Sequence, residues 1–298
     1  MDDLLSKSLA KSTLSSYQNA WKNFDKFSSS INLTVSAQTI PLSEHTIALF
    51  VSFLYEKGYK AESIRSQLSA ISYSHKLKGV PPPTESFLVK KLIKGAAARS
   101  PGGDVRYPVS LSVLSRLVCN VQKIVSCVYD GLLFKAMFST AFYGFLRCSE
   151  FTVGQHNLGY HQIYISPDSS FASITFTSFK HSKPGSEFVI KLSAKPAEQV
   201  CPVKILVAYL SVRGTRPGPF FCRPNLHPVS RNEFSDHLKR CLEAVGLSTT
   251  HFKGHSFRIG AATHAMLLGK SDSEIQLLGR WNSSAFKKYL RVAGLDSL

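Results

Sequence analysis

The sequence has no uninterrupted apolar stretch of about 18 residues, the length a helix needs to cross a bilayer, so no membrane span is encoded. Its six cysteines (Cys119, Cys127, Cys148, Cys201, Cys222 and Cys241) are scattered, with no C-x-x-C pair. This argues against a disulfide framework and a cysteine-based zinc site, and points to a reducing compartment. The N-terminal segment MDDLLSKSLAKSTLSSYQ has no basic stretch followed by an apolar one, so no secretory signal is expected. Internal repeats and low-complexity tracts are also missing. Acidic residues are scarce, with 19 Asp and Glu against 36 Lys and Arg.

What is present is a globular composition. The 298 residues are 44% apolar and 11% aromatic, enough for a buried core in one large or two ordinary domains. The formal charge of +17 is spread over both halves and does not form a basic tail. A folded chain this basic repels itself unless a polyanion is its usual partner, and nucleic acid is the leading candidate. A merely soluble basic protein is the alternative.

Hydrophobic spacing predicts short helices over the first hundred residues. Leu14, Tyr17, Trp21, Phe24 and Phe27 recur at three- and four-residue intervals. So do Ile47, Phe50, Val51 and Leu54, and then Ile64, Leu68 and Ile71. Pro81-Pro82-Pro83 separates the third helix from a fourth over Phe87–Ile93. The basic residues Lys57, Lys60, Arg65, Lys76, Lys78, Lys90, Lys91 and Lys94 fall in the later part of this bundle.

Residues 99–106 are small and polar and read as a linker between domains at 1–98 and 107–298. The run 111–151 is apolar and helical in pattern. Ile163–Ile165, Ser173–Thr177 and Phe188–Ile190 read as strands of a small antiparallel sheet, with a hairpin turn around His181–Ser186. Helices return at 201–213, 230–245, 256–268, 272–279 and 284–291, and Ser271-Asp-Ser-Glu274 matches a capping box. The fold class expected is mainly α (α+β), a helical bundle followed by a mainly helical domain with one small antiparallel sheet.

Three local patterns could carry chemistry. In Gly144-Phe-Leu-Arg147-Cys-Ser-Glu150, an arginine is followed three residues later by a carboxylate; a simple surface ion pair is the competing reading. In Gly254-His255-Ser-Phe-Arg258, an imidazole and a guanidinium share one helical face. A guanidinium fork fits two phosphate oxygens, and a histidine moves protons near neutral pH. His251 and His255 have the four-residue spacing of some zinc sites but lack a nearby third ligand. In Leu277-Leu-Gly-Arg280-Trp281, a tyrosine, Tyr289, follows eight residues after the Trp. Together these residues supply a phosphate clamp and a nucleophile.

In this order the residues resemble the tyrosine recombinase (phage integrase-type) family, over nearly the whole chain. The wording G-H-S-F-R-I-G-A-A and L-G-R-W-N-S-S-A-F-K-K-Y is most like the recombinases of eukaryotic Crypton-like and DIRS-like mobile elements. The resemblance implies an N-terminal helical core-binding (SAM-like) DNA-binding domain at 1–98 and a catalytic domain at 107–298. It implies that Tyr289 is the nucleophile and that Arg147, Arg258, His255, Trp281 and a hairpin lysine complete the catalytic set, with Glu150 supporting Arg147. Lys180 is preferred for the lysine because a strand over Ile174–Phe179 would fix its direction, and Lys183, beside the turn, is the alternative. The Trp281-to-Tyr289 interval is one residue shorter than in many members, and placing Arg280 in the Trp slot restores it.

The implied chemistry is DNA cutting and rejoining through a covalent 3′-phosphotyrosine, with no metal and no other cofactor, which suits the low acidic count. The implied partner is double-stranded DNA, with four protomers assembling on two DNA sites from a chain that is a monomer when free. No membrane is involved, and a nuclear location follows from family and substrate. A DNA-binding protein that no longer cleaves and a type IB topoisomerase-like enzyme are the competing functions.

Overall fold

The computed structural model describes the chain except for residues 1–4, 6, 7, 34–38, 100–104, 155, 180, 181, 183, 184 and 292–298. The chain divides into two compact units, Met1–Asp104 and Val105–Leu298, each with its own hydrophobic core. Both are mainly helical, and the only sheet among the described residues is three-stranded and antiparallel, as expected for a mainly α (α+β) chain. Of the linker expected at 99–106, residues 100–104 lie outside the described residues, and Arg99 still belongs to a helix.

The first unit contains α1 (Lys11–Ser30), α2 (Glu44–Glu56), α3 (Ala61–Leu77), a 3₁₀ turn at Pro83–Glu85 and α4 (Phe87–Arg99). The apolar stripe of α1 buries Phe24 and Phe27 against Phe50 of α2, with ring centroids 5.1 and 5.3 Å apart. Trp21 ties α1 to α3 by donating its indole N–H to the Ser74 hydroxyl at 3.2 Å. Leu14, at the far end of the stripe, stays exposed. Helix α4 runs past the expected end at Ile93 because Ala96, Ala97 and Ala98 are the strongest helix formers, and Gly95 interrupts them too weakly to stop the helix.

His75 is fully buried and links α3 to the segment before α2. Its Nδ1–H donates to the Ile71 carbonyl at 2.8 Å, and its Nε2 accepts from the Leu42 N–H at 3.0 Å. The two partners fix the tautomer, since a carbonyl only accepts and an amide N–H only donates. His75→Leu keeps the volume but leaves the Leu42 N–H unpaired among apolar side chains. A loss of about 1–3 kcal/mol is expected in denaturant titration of the full chain. A loss below about 0.5 kcal/mol would mean that this bond is dispensable.

The second unit contains α5 (Leu111–Asn120), α6 (Val128–Tyr143), the single turn α7 (Cys148–Phe151), strands β1 (Ile163–Ile165), β2 (Phe171–Phe176) and β3 (Phe188–Ser193), then α8 (Pro202–Arg213), α9 (Arg231–Ala244), α10 (Ser256–Leu267), α11 (Asp272–Leu278) and a 3₁₀ helix at Ser284–Tyr289. Helix α6 is largely apolar, with Leu133, Phe134, Met137, Phe138, Ala141 and Phe142 all buried, so it is the central helix of the unit. Helix α10 lies against the extended segment before α5. The Tyr107 N–H donates to the His251 carbonyl (2.9 Å) and the Val109 N–H to the Ser256 carbonyl (3.0 Å). A Cβ on Gly260 would sit 1.9 Å from the Val109 carbonyl oxygen, so this approach requires glycine.

The strands pair in chain order, with Ile163 opposite Ile174 and Phe176 opposite Phe188. Ala172, Ile174 and Phe176 alternate inward along β2, joined by Ile190 and Leu192 of β3. Strand β2 ends at Phe176 and does not run on to Phe179. Beyond it a local turn competes with the ladder, the Phe179 N–H donating to the Ser182 hydroxyl (3.0 Å) and the Ser182 N–H to the Phe179 carbonyl (2.9 Å). The strand expected over Ile174–Phe179 is therefore three residues shorter at its end. Lys180, Lys183 and half of the expected turn at His181–Ser186 lie outside the described residues.

Candidate active site

Three backbone features bring the site together in the second unit. The first is the exit of α6. Gly144 caps the helix, Phe145 takes a left-handed conformation (φ +50°), and Arg147 stands at the N-cap of α7. From the third position of that turn, Glu150 reaches back so that its Oε2 accepts from the Arg147 backbone N–H at 2.8 Å. The second is the start of α10, with His255 at its N-cap and Arg258 in its first turn.

The third is the exit of α11. The capping box at Ser271 and Glu274 starts this helix as expected. It ends in a Schellman motif, with the Trp281 N–H donating to the Gln276 carbonyl (3.0 Å) and the Arg280 N–H to the Leu277 carbonyl (2.9 Å). Glycine usually takes the left-handed position of this motif. Here Arg280 takes it, at φ +55°, and Gly279 precedes it at φ −82°. Gly279 is needed for another reason. A Cβ there would fall 1.6 Å from the Trp281 ring. Holding two non-glycine residues, Phe145 and Arg280, in this region costs on the order of 1–3 kcal/mol each, and such residues cluster at functional sites.

The side chains meet as follows. The Tyr289 hydroxyl is 2.8 Å from His255 Nε2, within hydrogen-bond reach. The Trp281 ring lies 5.1 Å from the Tyr289 ring and stacks on the Arg258 guanidinium at 4.1 Å. Arg258 is fully buried. Its Nη1 donates to the Phe145 carbonyl at 2.5 Å, its Nη2 donates to the Gly279 carbonyl, and its Nε makes no hydrogen bond. Thr263, one turn and a half further along α10, holds the backbone of the nucleophile candidate. Its hydroxyl donates to the Tyr289 carbonyl (3.2 Å) and accepts from the Arg291 N–H (3.1 Å).

Beneath them lies a buried carboxylate. Glu150 is fully enclosed. It pairs through Oε1 with Arg147 Nη1 (3.1 Å) and through Oε2 with Arg280 Nη2 (2.7 Å). Arg147 keeps 16% of its side chain exposed, and its Nη2 donates to the Arg280 carbonyl at 3.1 Å. The reading of Arg147 and Glu150 as a surface pair is overturned by this burial. Three guanidinium groups against one carboxylate leave two surplus positive charges in a poorly solvated place. Burial, with Arg147 and Arg280 nearby, pulls the Arg258 pKa well below its ordinary value, opposed by Glu150 and Tyr289. Burial brings Arg280 down to about 10, with Glu150 opposing and Arg147 reinforcing the shift. An anion of one or two charges entering here would relieve both.

Arg147, Glu150, His255, Arg258, Trp281 and Tyr289 are thus gathered in one place. Arg280, which the spacing put in the Trp slot, points the other way, onto Glu150, and lies over the Phe176 ring at 4.0 Å. The segment carrying Tyr289 is a 3₁₀ helix where an α-helix over 284–291 was expected. His251 stacks on Tyr107 at 4.5 Å with its Nδ1 beside Ser248, whereas His255 faces Tyr289; the zinc spacing therefore does not bring the two rings to one point. In the first unit, Lys57, Lys60, Arg65, Lys76, Lys78, Lys90, Lys91 and Lys94 are all exposed. Arg65 pairs with Glu62 and Lys76 with Glu85, both on the surface.

No family model matches the sequence, and no curated protein does. Solved structures match in fold. The chain is similar to a lambda integrase dimer bound to a COC′ core site, with a TM-score of 0.67 and 17% identity over 99% of this chain and 75% of that one. It is similar to the XerH site-specific recombinase in a post-cleavage complex with palindromic difH substrate, with a TM-score of 0.67 and 14% identity over 92% and 75%. It is also similar to the Tn1549 transposon integrase in complex with transposon right end DNA, with a TM-score of 0.63 and 12% identity over 97% and 92%. At these identities the likeness is one of fold.

Proposed function

We propose that this chain is a site-specific DNA recombinase of the tyrosine recombinase family, with a DNA-binding unit at 1–98 and a catalytic unit at 107–298. The observation that carries the reading is the 2.8 Å contact between the Tyr289 hydroxyl and His255 Nε2, beside a buried cluster of arginines. A weak nucleophile within reach of a base and next to surplus positive charge is the arrangement that phosphoryl transfer to tyrosine needs. The fold likeness to DNA-bound integrases supports it.

In the proposed reaction, the Tyr289 oxygen attacks a DNA phosphorus and gives its proton to His255. The bond from phosphorus to the 5′ oxygen breaks, leaving a 3′-phosphotyrosine. The departing oxygen takes a proton from a lysine of the segment between β2 and β3, Lys180 or Lys183. Arg147 and Arg258 neutralise the nonbridging oxygens. For Arg258 this means exchanging a backbone carbonyl for a phosphate oxygen, with its unpartnered Nε as a further donor. A 5′ hydroxyl attacking the phosphotyrosine reverses the step and rejoins strands. No metal or cofactor enters this scheme. The exposed basic residues between Lys57 and Lys94 supply salt-dependent contacts to the DNA backbone. The narrower reading, of a mobile-element enzyme acting in the nucleus with four protomers on two DNA sites, rests on the wording of the motifs.

One observation favours a second reading. Arg258 is enclosed under Trp281, as it would be in a DNA-binding relative that had stopped cleaving. Covalent trapping separates the two. The protein is incubated in EDTA with nicked or bridging-phosphorothiolate duplexes carrying the sequences that flank its coding DNA, and the mixture is run on a denaturing gel. A protein–DNA adduct is expected. Tight binding to the same duplexes with no adduct would favour the non-cleaving protein.

A further inference from the structure

Arg280 holds a position where glycine would cost less, and every polar group of its side chain but one is used. Its Nη2 donates to Glu150 Oε2 (2.7 Å) and to the Phe145 carbonyl (3.3 Å), and its Nη1 to the Gly144 carbonyl (3.4 Å). The flat of the guanidinium lies on Phe176 of β2 at 4.0 Å. Its own carbonyl receives Arg147 Nη2 at 3.1 Å. Arg280 therefore touches Arg147 twice, once through the shared carboxylate and once through its backbone. It also touches Phe145, whose carbonyl holds Arg258. The next residue is Trp281, and the segment continues to Tyr289. One side chain thus connects both arginines of the site to the strap that carries the nucleophile.

We infer that Arg280 is a positioning residue that fixes the Arg147 guanidinium and the Tyr289 strap in register with one another. This rests on the recombinase reading above. The inference separates the neighbours Arg280 and Trp281 by role. Trp281 faces the reacting groups, and Arg280 acts from beneath through Glu150, Arg147 and Phe145 without touching DNA. It also accounts for the left-handed backbone. At this position glycine would relax the turn but leave Glu150 with one partner fewer.

The test compares Arg280→Lys, Arg280→Met and Arg280→Gly with wild type in single-turnover adduct formation at saturating phosphorothiolate DNA. Equilibrium binding to the same DNA and the thermal midpoint are measured alongside. For Arg280→Met, adduct formation is expected to slow about 100-fold, the order of loss that a misplacement of about 1 Å brings, with the DNA dissociation constant within threefold of wild type. Arg280→Lys keeps the charge and is expected to recover part of the rate. Arg280→Gly, free of the backbone cost, is expected to remain folded and to be as slow as Arg280→Met.

A wild-type rate in Arg280→Gly overturns the inference. So does a loss of rate that is matched by an equal loss of DNA affinity, which would make Arg280 a DNA contact. If the wild type itself forms no adduct while binding DNA, the recombinase reading fails, and the role of Arg280 falls with it. If wild type forms adduct and the Arg280 variants equal it, only the role of Arg280 fails.

Discussion

Tyr289→Phe is expected to abolish the covalent protein–DNA adduct while leaving fold and DNA affinity in place. The substitution removes one oxygen, whose contact with His255 lies in a half-exposed position and is worth no more than about 1 kcal/mol to stability. The ring keeps its neighbours Trp281 and His255. The backbone keeps both hydrogen bonds to Thr263. What disappears is the proposed nucleophile, so single-turnover cleavage should fall by at least about 10⁴-fold. His255→Ala removes the proposed proton acceptor and should slow the step by about 10²–10⁴-fold without abolishing it. Adduct formation on a denaturing gel and binding by fluorescence anisotropy, measured on the same duplex, check both. An adduct that persists in Tyr289→Phe would place the nucleophile elsewhere in the chain.

Much of the fold could be read from the residues because the chemistry that sets it is local. Ser271 and Glu274 start a helix wherever they stand at this spacing, and they do so here. The Phe24 and Phe27 stripe and the inward alternation of β2 follow from period alone. The pattern of Arg147, His255, Arg258, Trp281 and Tyr289 could be assembled only through a family resemblance, because these residues lie far apart in the chain and no spacing rule joins them.

The features that escaped are those set by three-dimensional pairing. The Leu-Gly-Arg-Trp sequence invites glycine into the left-handed position. Arg280 takes it instead, and the glycine before it makes room for the Trp281 ring. Glu150 has an obvious partner three residues away in Arg147, and nothing local announces the second one, Arg280, 130 residues on. The end of β2 is likewise set by a local pairing that the strand pattern does not announce. Ser182 competes for the Phe179 N–H and stops the ladder short of Lys180. The burial of Arg258 could not be anticipated either, since an arginine in a phosphate clamp is expected to face solvent.

Glu150→Ala is expected to be the most damaging substitution for stability. A buried ion pair is weak evidence of net stabilisation, because bringing the charges out of water costs about as much as their attraction returns. Removing one member is a different matter. Arg280 is only 5% exposed, and without Glu150 it would be left with carbonyl partners alone, beside the buried Arg258. The N-cap of α7 would lose its acceptor at the Arg147 N–H in the same step. The expected loss is about 3–5 kcal/mol, a fall in thermal midpoint on the order of 10 °C for a unit of this size. Glu150→Gln preserves the shape and one acceptor but turns an amide N–H₂ toward a guanidinium, so it should fall between wild type and Glu150→Ala. Denaturant titration of the three proteins ranks them. Inorganic sulfate offers a further reading, because without Glu150 the cluster of Arg147, Arg258 and Arg280 carries three positive charges with no carboxylate against them and binds an anion more tightly. Sulfate should therefore raise the midpoint of Glu150→Ala more than that of wild type. A Glu150→Ala protein within about 1 kcal/mol of wild type, and no more responsive to sulfate, would show that the carboxylate does not hold the arginines of this site.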